Sequence, residues 1–461
     1  MIVPLVAALC ALVWRVQPRV AHGITLAGSV VHVGCVGVLC VSVLTRGPLV
    51  HQFGGWAAPF GIVYVADALA VFFLSAIAIV SCTVFVHAFG ARGASSWEPF
   101  FLKIVVGGAS GAVLTSDFFH LFVCFEVMLI AVYALMAVQS VHARERMDRT
   151  MRYVVLNAAN SLLFLLALGV LYGTVGTLNM AHAIEVGAGS WRYVLLAMFG
   201  VVFALKAGLG LAFWLPQAYA GLSIGVAALF AGLMTKIGLY ALVRIGMVWG
   251  IETSWIGWIA VAAIAGGVLG MFVQRTISGI LAYQISISSG MLGLALACAH
   301  DALVVLALSD MVAKTMLFLL FGTVARSDRI RAEHARMAPM LVWCGVLVAG
   351  GLPPFGPFVA KALLLFGLVE RTDGGDVAMR IWLIVAAGAS LAVLLSLIRV
   401  AMRLTWSSDQ RVHMPVWTRL AVVLLLVVLC GIGLGADRVV TYARTVVLTD
   451  AHVYVKTVLG R

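Results

Sequence analysis

Two stretches decide the fold: FALKAGLGLAFWLP (203–216) and GGLPPFGPFVAKALLLF (350–366). Each sets a lysine, Lys206 or Lys361, beside a proline-containing interruption in an apolar run of membrane-spanning length. A proline removes a backbone donor and crowds the preceding turn, so both helices are expected to break near mid-span, at Pro216 and at Pro353–Pro354. In hydrocarbon the freed backbone groups need neighbours or water, which places both breaks inside the protein.

Outward from these breaks, fourteen apolar runs can be read: 1–14, 21–44, 62–89, 100–115, 118–138, 152–173, 193–215, 224–249, 255–273, 277–298, 302–324, 340–369, 381–402 and 417–434. The first is short for a bilayer, so either translation starts a few codons upstream or this helix is thin and tilted. The breaks fall in the seventh and twelfth runs. That is the spacing of a repeat of segments 4–8 on segments 9–13, and an odd number of spans per repeat inverts the second copy. The expectation is an all-α polytopic membrane protein of about 14 transmembrane helices with two inverted five-helix repeats. It divides into 1–99, 100–249, 250–402 and 403–461.

Composition agrees. Of 461 residues 63% are hydrophobic and 10% charged, which excludes an ordinary soluble globule. The net charge of +12 lies in short loops and inside apolar runs, with no basic stripe interleaved with aromatics, so no nucleic-acid partner is expected. The eight cysteines are scattered without a CxxC pair and read as small buried hydrophobes. There is no phosphate-binding glycine loop, no metal-spaced His/Glu cluster and no nucleophile with a base, so neither cofactor, metal nor enzymatic catalysis is expected. With the amino terminus outside, alternate loops hold 17 Lys and Arg inside (Arg92, Lys103, Arg329, Arg331, Arg336 and Arg411 among them) against five outside (Arg244 among them), which puts both termini on the outer face.

The charges within apolar runs carry the functional reading. They are Glu126, Lys206, Lys236, Lys314 and Lys361, with Asp310 four residues before Lys314. A charge at mid-membrane costs at least a few kcal/mol. Glu126 lies about 12 Å into its helix, and three of the lysines lie about 18–20 Å into theirs, so they suit a layer near the midplane. Desolvation and pairing can change which group holds a proton, as a relay requires. Static ion pairs that stitch helices together are the bland alternative. For Asp310 and Lys314, a local neutralising pair is as good a reading as a relay. Asp117 and His120 are candidates for proton entry, although Asp117 also suits a helix cap. Asp67 reads as a helix-end residue.

At these residues the chain resembles the antiporter-like membrane subunits shared by Mrp-type Na+/H+ antiporters and respiratory complex I. The matching stretches are SDFFHLFVCFE (116–126), FALKAGLGLAFWLPQAYA (203–220), AGLMTKIGLYALVR (231–244), ILAYQISISSG (280–290), AKTMLFLLFG (313–322) and GLPPFGPFVAKALLL (351–365). GGWAAPFGIVYVADALA before segment three and the short tail LTDAHVYVKTVLG look closest to the D-subunit branch. The resemblance implies that Glu126, Lys206, Lys236, Lys314 and Lys361 occupy the family's relay positions. Departures are Gln217 in place of an aspartate, GLSIGVAAL (221–229) in place of a proline-rich stretch, Thr276, Ser278 and Gly279 before LAY, and Asp310 where a histidine is usual. The last swaps a group that titrates near neutrality for a carboxylate at the centre of the path.

The function expected is proton translocation by one subunit of a multisubunit Na+(cation)/H+ antiporter in the bacterial inner membrane. Its partners would be other membrane subunits, the lipid bilayer, H+ and Na+. The alternatives are a proton-pumping subunit of a redox-driven complex and a degenerate, non-transporting scaffold.

Overall fold

The computed structural model describes residues 1–90, 95–140, 144–210, 214–219, 221–250, 254–326, 337–372, 376–406, 414–447 and 451–459. Of the loop arginines counted above, Arg92, Arg329, Arg331, Arg336 and Arg411 lie outside these residues. The chain opens with α1 (Ile2–Val13), α2 (Pro18–Arg46), a hairpin of β1 (Leu49–Gln52) and β2 (Val63–Ala66), and α3 (Ala68–Gly90). The first five-helix unit comprises α4 (Glu98–Leu114), α5 (Phe118–Ser140), α6 (Arg144–Val175), the short α7 (Met180–Val186), the broken helix α8 (Arg192–Lys206) plus α9 (Trp214–Tyr219), and α10 (Ile224–Trp249). The second comprises α11 (Ser254–Val273), α12 (Ile277–Cys298), α13 (His300–Arg326), the broken helix α14 (Met337–Gly350) plus α15 (Gly356–Thr372), and α16 (Val377–Trp406). The chain closes with α17 (Val416–Leu434), α18 (Ala436–Val447) and α19 (Ala451–Leu459).

Among the described residues, 11 helices are long and apolar enough to cross a membrane by themselves. The other three of the fourteen runs are α1 with 12 residues, α4 with 17, and the run split into α14 and α15. Burial sorts the helices into layers. The best-buried span is α10, 94% of it inside the protein, with α3, α12 and α13 close behind; α2, at 22%, lies on the outside. Helices apolar all round belong at the centre of such a bundle. The outer helices leave Val30, Leu162, Leu166, Ile384 and Leu391 exposed, a surface for hydrocarbon or a partner helix.

Both breaks use one device, and it is glycine rather than proline. At the end of α8 the amide of Leu209 donates to Ala204 O at 2.9 Å and that of Gly208 to Leu205 O at 3.1 Å, with Gly208 at φ +72°. At the end of α14 the amide of Leu352 donates to Leu347 O at 3.0 Å and that of Gly351 to Val348 O at 3.1 Å, with Gly351 at φ +70°. Each is a Schellman closure with glycine at the left-handed position. Pro353 and Pro354 follow directly and keep the second helix from resuming. Pro216 does not sit at the first break as expected. It is the third residue of α9, where the missing amide costs nothing because first-turn amides have no intrahelical partner.

The hairpin end of the bundle collects both chain ends. β1 and β2 pair antiparallel from Leu49↔Ala66 to Gln52↔Val63, Tyr64 donates to Met1 Sδ, and Tyr454 of α19 bonds Ser116 Oγ at 2.8 Å.

Candidate functional site

α10 divides the buried charges into two groups. On one side Lys236, fully buried, places its Nζ 2.7 Å from Asp310 Oδ2 on α13 and donates to Ala231 O at 3.1 Å. Lys314 stands one turn along α13, 3.8 Å from Asp310 Oδ1. Lys361 reaches back from α15 and donates to Ala349 O at 3.0 Å and Gly350 O at 3.1 Å. These are carbonyls that the end of α14 leaves free, so the lysine satisfies the broken helix. Gly351 is needed for this: a Cβ there would lie 2.6 Å from Lys361 Cδ. Asp310, Lys314 and Lys361 all face a cavity of about 50 Å³.

On the other side lie Glu126 and Lys206. Glu126, half-buried on α5, accepts a hydrogen bond from Ser161 of α6. Lys206 ends α8; its Nζ is buried, lacks a hydrogen-bond partner and lies 4.9 Å from the Phe125 ring centroid. The two form no ion pair within 4.0 Å, so a proton passing between them needs water. A second cavity, of about 20 Å³, adjoins Lys206 but not Glu126: Lys206, Thr235, Asn157 and Tyr219 line it, and Thr235 Oγ1 and Tyr219 OH are also buried without partners. One water needs about 10–15 Å³ and two to four polar neighbours. Thr235 and Lys236 are consecutive on α10, so this helix touches both groups.

The two halves meet closely because Gly238 lets them. A Cβ on Gly238 would lie 2.5 Å from Ala207 N and from Lys206 C, backbone atoms with no room to yield. Gly238→Ala is expected to push α10 off the α8 break and to destabilise the fold by about 1–3 kcal/mol. Thermal unfolding of the assembled variant measures this; an unchanged midpoint would contradict the close packing.

The proposed entry residues sit apart, at the hairpin end. Asp117 Oδ1 accepts the His120 amide at 2.7 Å, so it caps α5. Burial pushes its carboxyl above the usual carboxylate range, against the amide bonds that lower it. His120 packs by Tyr64, ring centroids 5.4 Å apart, and its Nδ1 lies 3.6 Å from Cys124 Sγ.

Sequence reading missed three features. Lys103, counted with an inside loop, lies within α4 and is fully buried; its Nζ donates to Ser29 Oγ at 2.6 Å and lies 4.3 Å from the Phe85 ring. Arg244, counted with an outside loop, is buried on α10 and makes a bidentate pair with Asp67, both bonds 2.6 Å. Each inside/outside tally loses one charge and the bias stands. Gln284 was passed over inside ILAYQISISSG, yet it is fully buried with both amide atoms unpartnered at the Asp310 cavity. For Gln284 a polar residue in the middle of an apolar run was the available signal; Lys103 and Arg244 lie near the ends of their runs, where position did not mark them as buried.

Comparison with known proteins bears on this arrangement. Residues 115–396 match the family described as NADH:quinone oxidoreductase/Mrp antiporter, TM. A Staphylococcus aureus (strain NCTC 8325 / PS 47) protein named as a candidate antiporter subunit, mnhD2, is 30% identical across 99% of this chain and 97% of its own length. Among solved structures, a chain of the Mrp complex from Dietzia sp. DQ12-45-1b superposes with a TM-score of 0.87 at 24% identity, covering 99% of this chain and 98% of that one. A chain of the archaeal membrane-bound sulfane sulfur reductase gives 0.87 at 22%, covering 100% and 99%. One of respiratory complex I from Thermus thermophilus gives 0.76 at 20%, covering 95% and 98%. The solved structures establish the shared fold. With more than half of its length matched by the family and a full-length relative at 30% identity, the chain belongs to the NADH:quinone oxidoreductase/Mrp antiporter transmembrane family.

Proposed function

We propose that this chain is the proton-translocating membrane subunit of a multisubunit cation/H+ antiporter of the bacterial inner membrane, exchanging H+ against Na+ beside other membrane subunits. The observation that carries the reading is the distribution of buried and half-buried ionisable groups about α10, Glu126 and Lys206 on one side, Lys236, Asp310, Lys314 and Lys361 on the other. The full-length similarity to a protein named as an antiporter subunit supports it. The units 100–249 and 250–402 each carry one half-channel in this reading, flanked by 1–99 and 403–461, and the arginine bias puts both termini outside.

The chemistry is transfer between amines and a carboxylate through single waters. Lys206 and Lys314 make few or loose bonds, so each can gain or lose a proton without dismantling a network. Lys236 and Lys314 share Asp310, so deprotonating one tightens the carboxylate on the other. Lys361, held by two carbonyls, couples its charge to the α14 break.

The test is dye-reported proton movement in everted vesicles that carry the native operon in a host without its own antiporters. Adding Na+ or K+ after energisation should collapse part of the gradient. Glu126→Ala is expected to lower this response about 100-fold, with Glu126→Asp retaining part of it. A redox-driven pump is the second reading, favoured by the fold shared with a chain of a respiratory reductase. No cation response from an assembled wild-type complex would favour that pump or a scaffold.

A further inference from the structure

The cavity between α12, α13, α14, α15 and α16 is built to hold more than the hydrogen bonds now made in it. Gln284 of α12 and Ser309 of α13 are fully buried, line it, and leave the Gln284 amide and the Ser309 hydroxyl without partners. An unpaired buried polar group is costly, so the cavity calls for a polar occupant. Its volume of about 50 Å³ suits one or two waters, or a bare monovalent cation with one water.

Electrostatics narrows the choice. Asp310 Oδ2 is held by Lys236 at 2.7 Å, but Oδ1 lies 3.8 Å from Lys314, beyond a charge-assisted hydrogen bond. Oδ1 is therefore the more loosely held oxygen, and the carboxylate lines the cavity beside Ser288, whose hydroxyl donates to Ile285 O at 3.0 Å. Hard cations take carboxylate, amide and hydroxyl oxygens. Against them stand Lys236 from α10, Lys314 from α13 and Lys361 from α15. Among the described lining residues α12, α14 and α16 contribute no charge, only Gln284, Ser288, Ala349 and Ser390. Three ammonium groups facing one carboxylate leave no room for a further positive charge.

We propose that this cavity is a monovalent-cation site in which Asp310 Oδ1, the Gln284 amide oxygen and the Ser309 hydroxyl are ligands, and that cation entry expels a proton from Lys361, which lines the same cavity. The ammonium N–H bond breaks, its electron pair stays on nitrogen, and the proton leaves on water. Proton and cation then exclude one another within one chain. The site rests on the antiport reading for its use, while the binding equilibrium can be measured without turnover.

The experiment uses the purified, assembled complex in weakly buffered detergent with a pH dye, titrated with NaCl against choline chloride. Na+ should release protons saturably from the wild type. Asp310→Asn should remove this chain's share of the release. Gln284→Met and Ser309→Ala, which leave the charges intact, should each raise the half-saturating Na+ by about tenfold. If Asp310→Asn fails to assemble, the two neutral variants carry the test. Unchanged Na+ dependence in assembled Gln284→Met and Ser309→Ala would overturn the site and leave a water-filled cavity. Na+-linked proton release from a complex that performs no exchange would sink the antiport reading instead and keep the site.

Discussion

Lys206→Ala is expected to lower cation-induced proton movement by about 100-fold or more while the complex still assembles. Assembly should survive because the Lys206 ammonium makes no hydrogen bond: its removal leaves a small polar space beside Phe125, with no acid held in a direct ion pair. The arginine variant separates the mechanisms. A static charge that only balances Glu126 would be replaced by Lys206→Arg, whose guanidinium is always charged. A relay lysine would not, since arginine cannot release a proton at any working pH. The expected result is therefore loss of exchange in both variants, measured in everted vesicles with assembly checked by co-purification. Recovery of exchange in Lys206→Arg would show that the residue supplies charge and does not carry the proton.

Arg244→Ala is expected to have the largest effect on stability, about 3–5 kcal/mol, because it leaves the Asp67 carboxylate buried without its partner. The pair does more than neutralise. Asp67 Oδ1 also accepts the Ala70 amide at 2.8 Å, Arg244 Nε donates to Tyr240 OH at 2.8 Å, and the guanidinium lies 5.3 Å from the Tyr454 ring. α3, α10 and α19 are thus tied at the hairpin end. The double variant Asp67→Leu, Arg244→Met removes both charges and should regain most of the loss, since a buried pair is worth little against apolar residues of similar size. Thermal unfolding of the purified complex reads both. A double variant no more stable than Arg244→Ala would mean that the charges are needed for something other than each other.

How much of this was legible depended on distance along the chain. Lys236, Lys314 and Lys361 stand deep inside apolar runs, where a charge is too costly to be incidental, so sequence alone marked them. Lys103 is only five residues beyond the helix start at Glu98, and position gave no way to distinguish it from a loop residue. Only the packing of α2 and α3 over it, with Ser29 and Phe85, buries it. Asp67 and Arg244 are 177 positions apart, so neither advertised the other. The breaks in the seventh and twelfth runs were legible from their prolines, but the first was placed about two turns late. The residue that reverses the helix there is Gly208, and the matching Ala207-Gly208-Leu209 and Gly350-Gly351-Leu352 read as ordinary membrane sequence until their hydrogen bonds are seen.

What the sequence alone determined was the solvent of each segment: a chain this apolar must lie in hydrocarbon as helices, must hide its broken backbone, and must give each buried charge a reason. Only the tertiary structure decided which charges share a partner. Pairing Lys236 with Asp310 across α10 and α13, and parting Glu126 from Lys206, depends on helix approach set within a few ångströms, at places such as Gly238, and no one-dimensional pattern carries that separation.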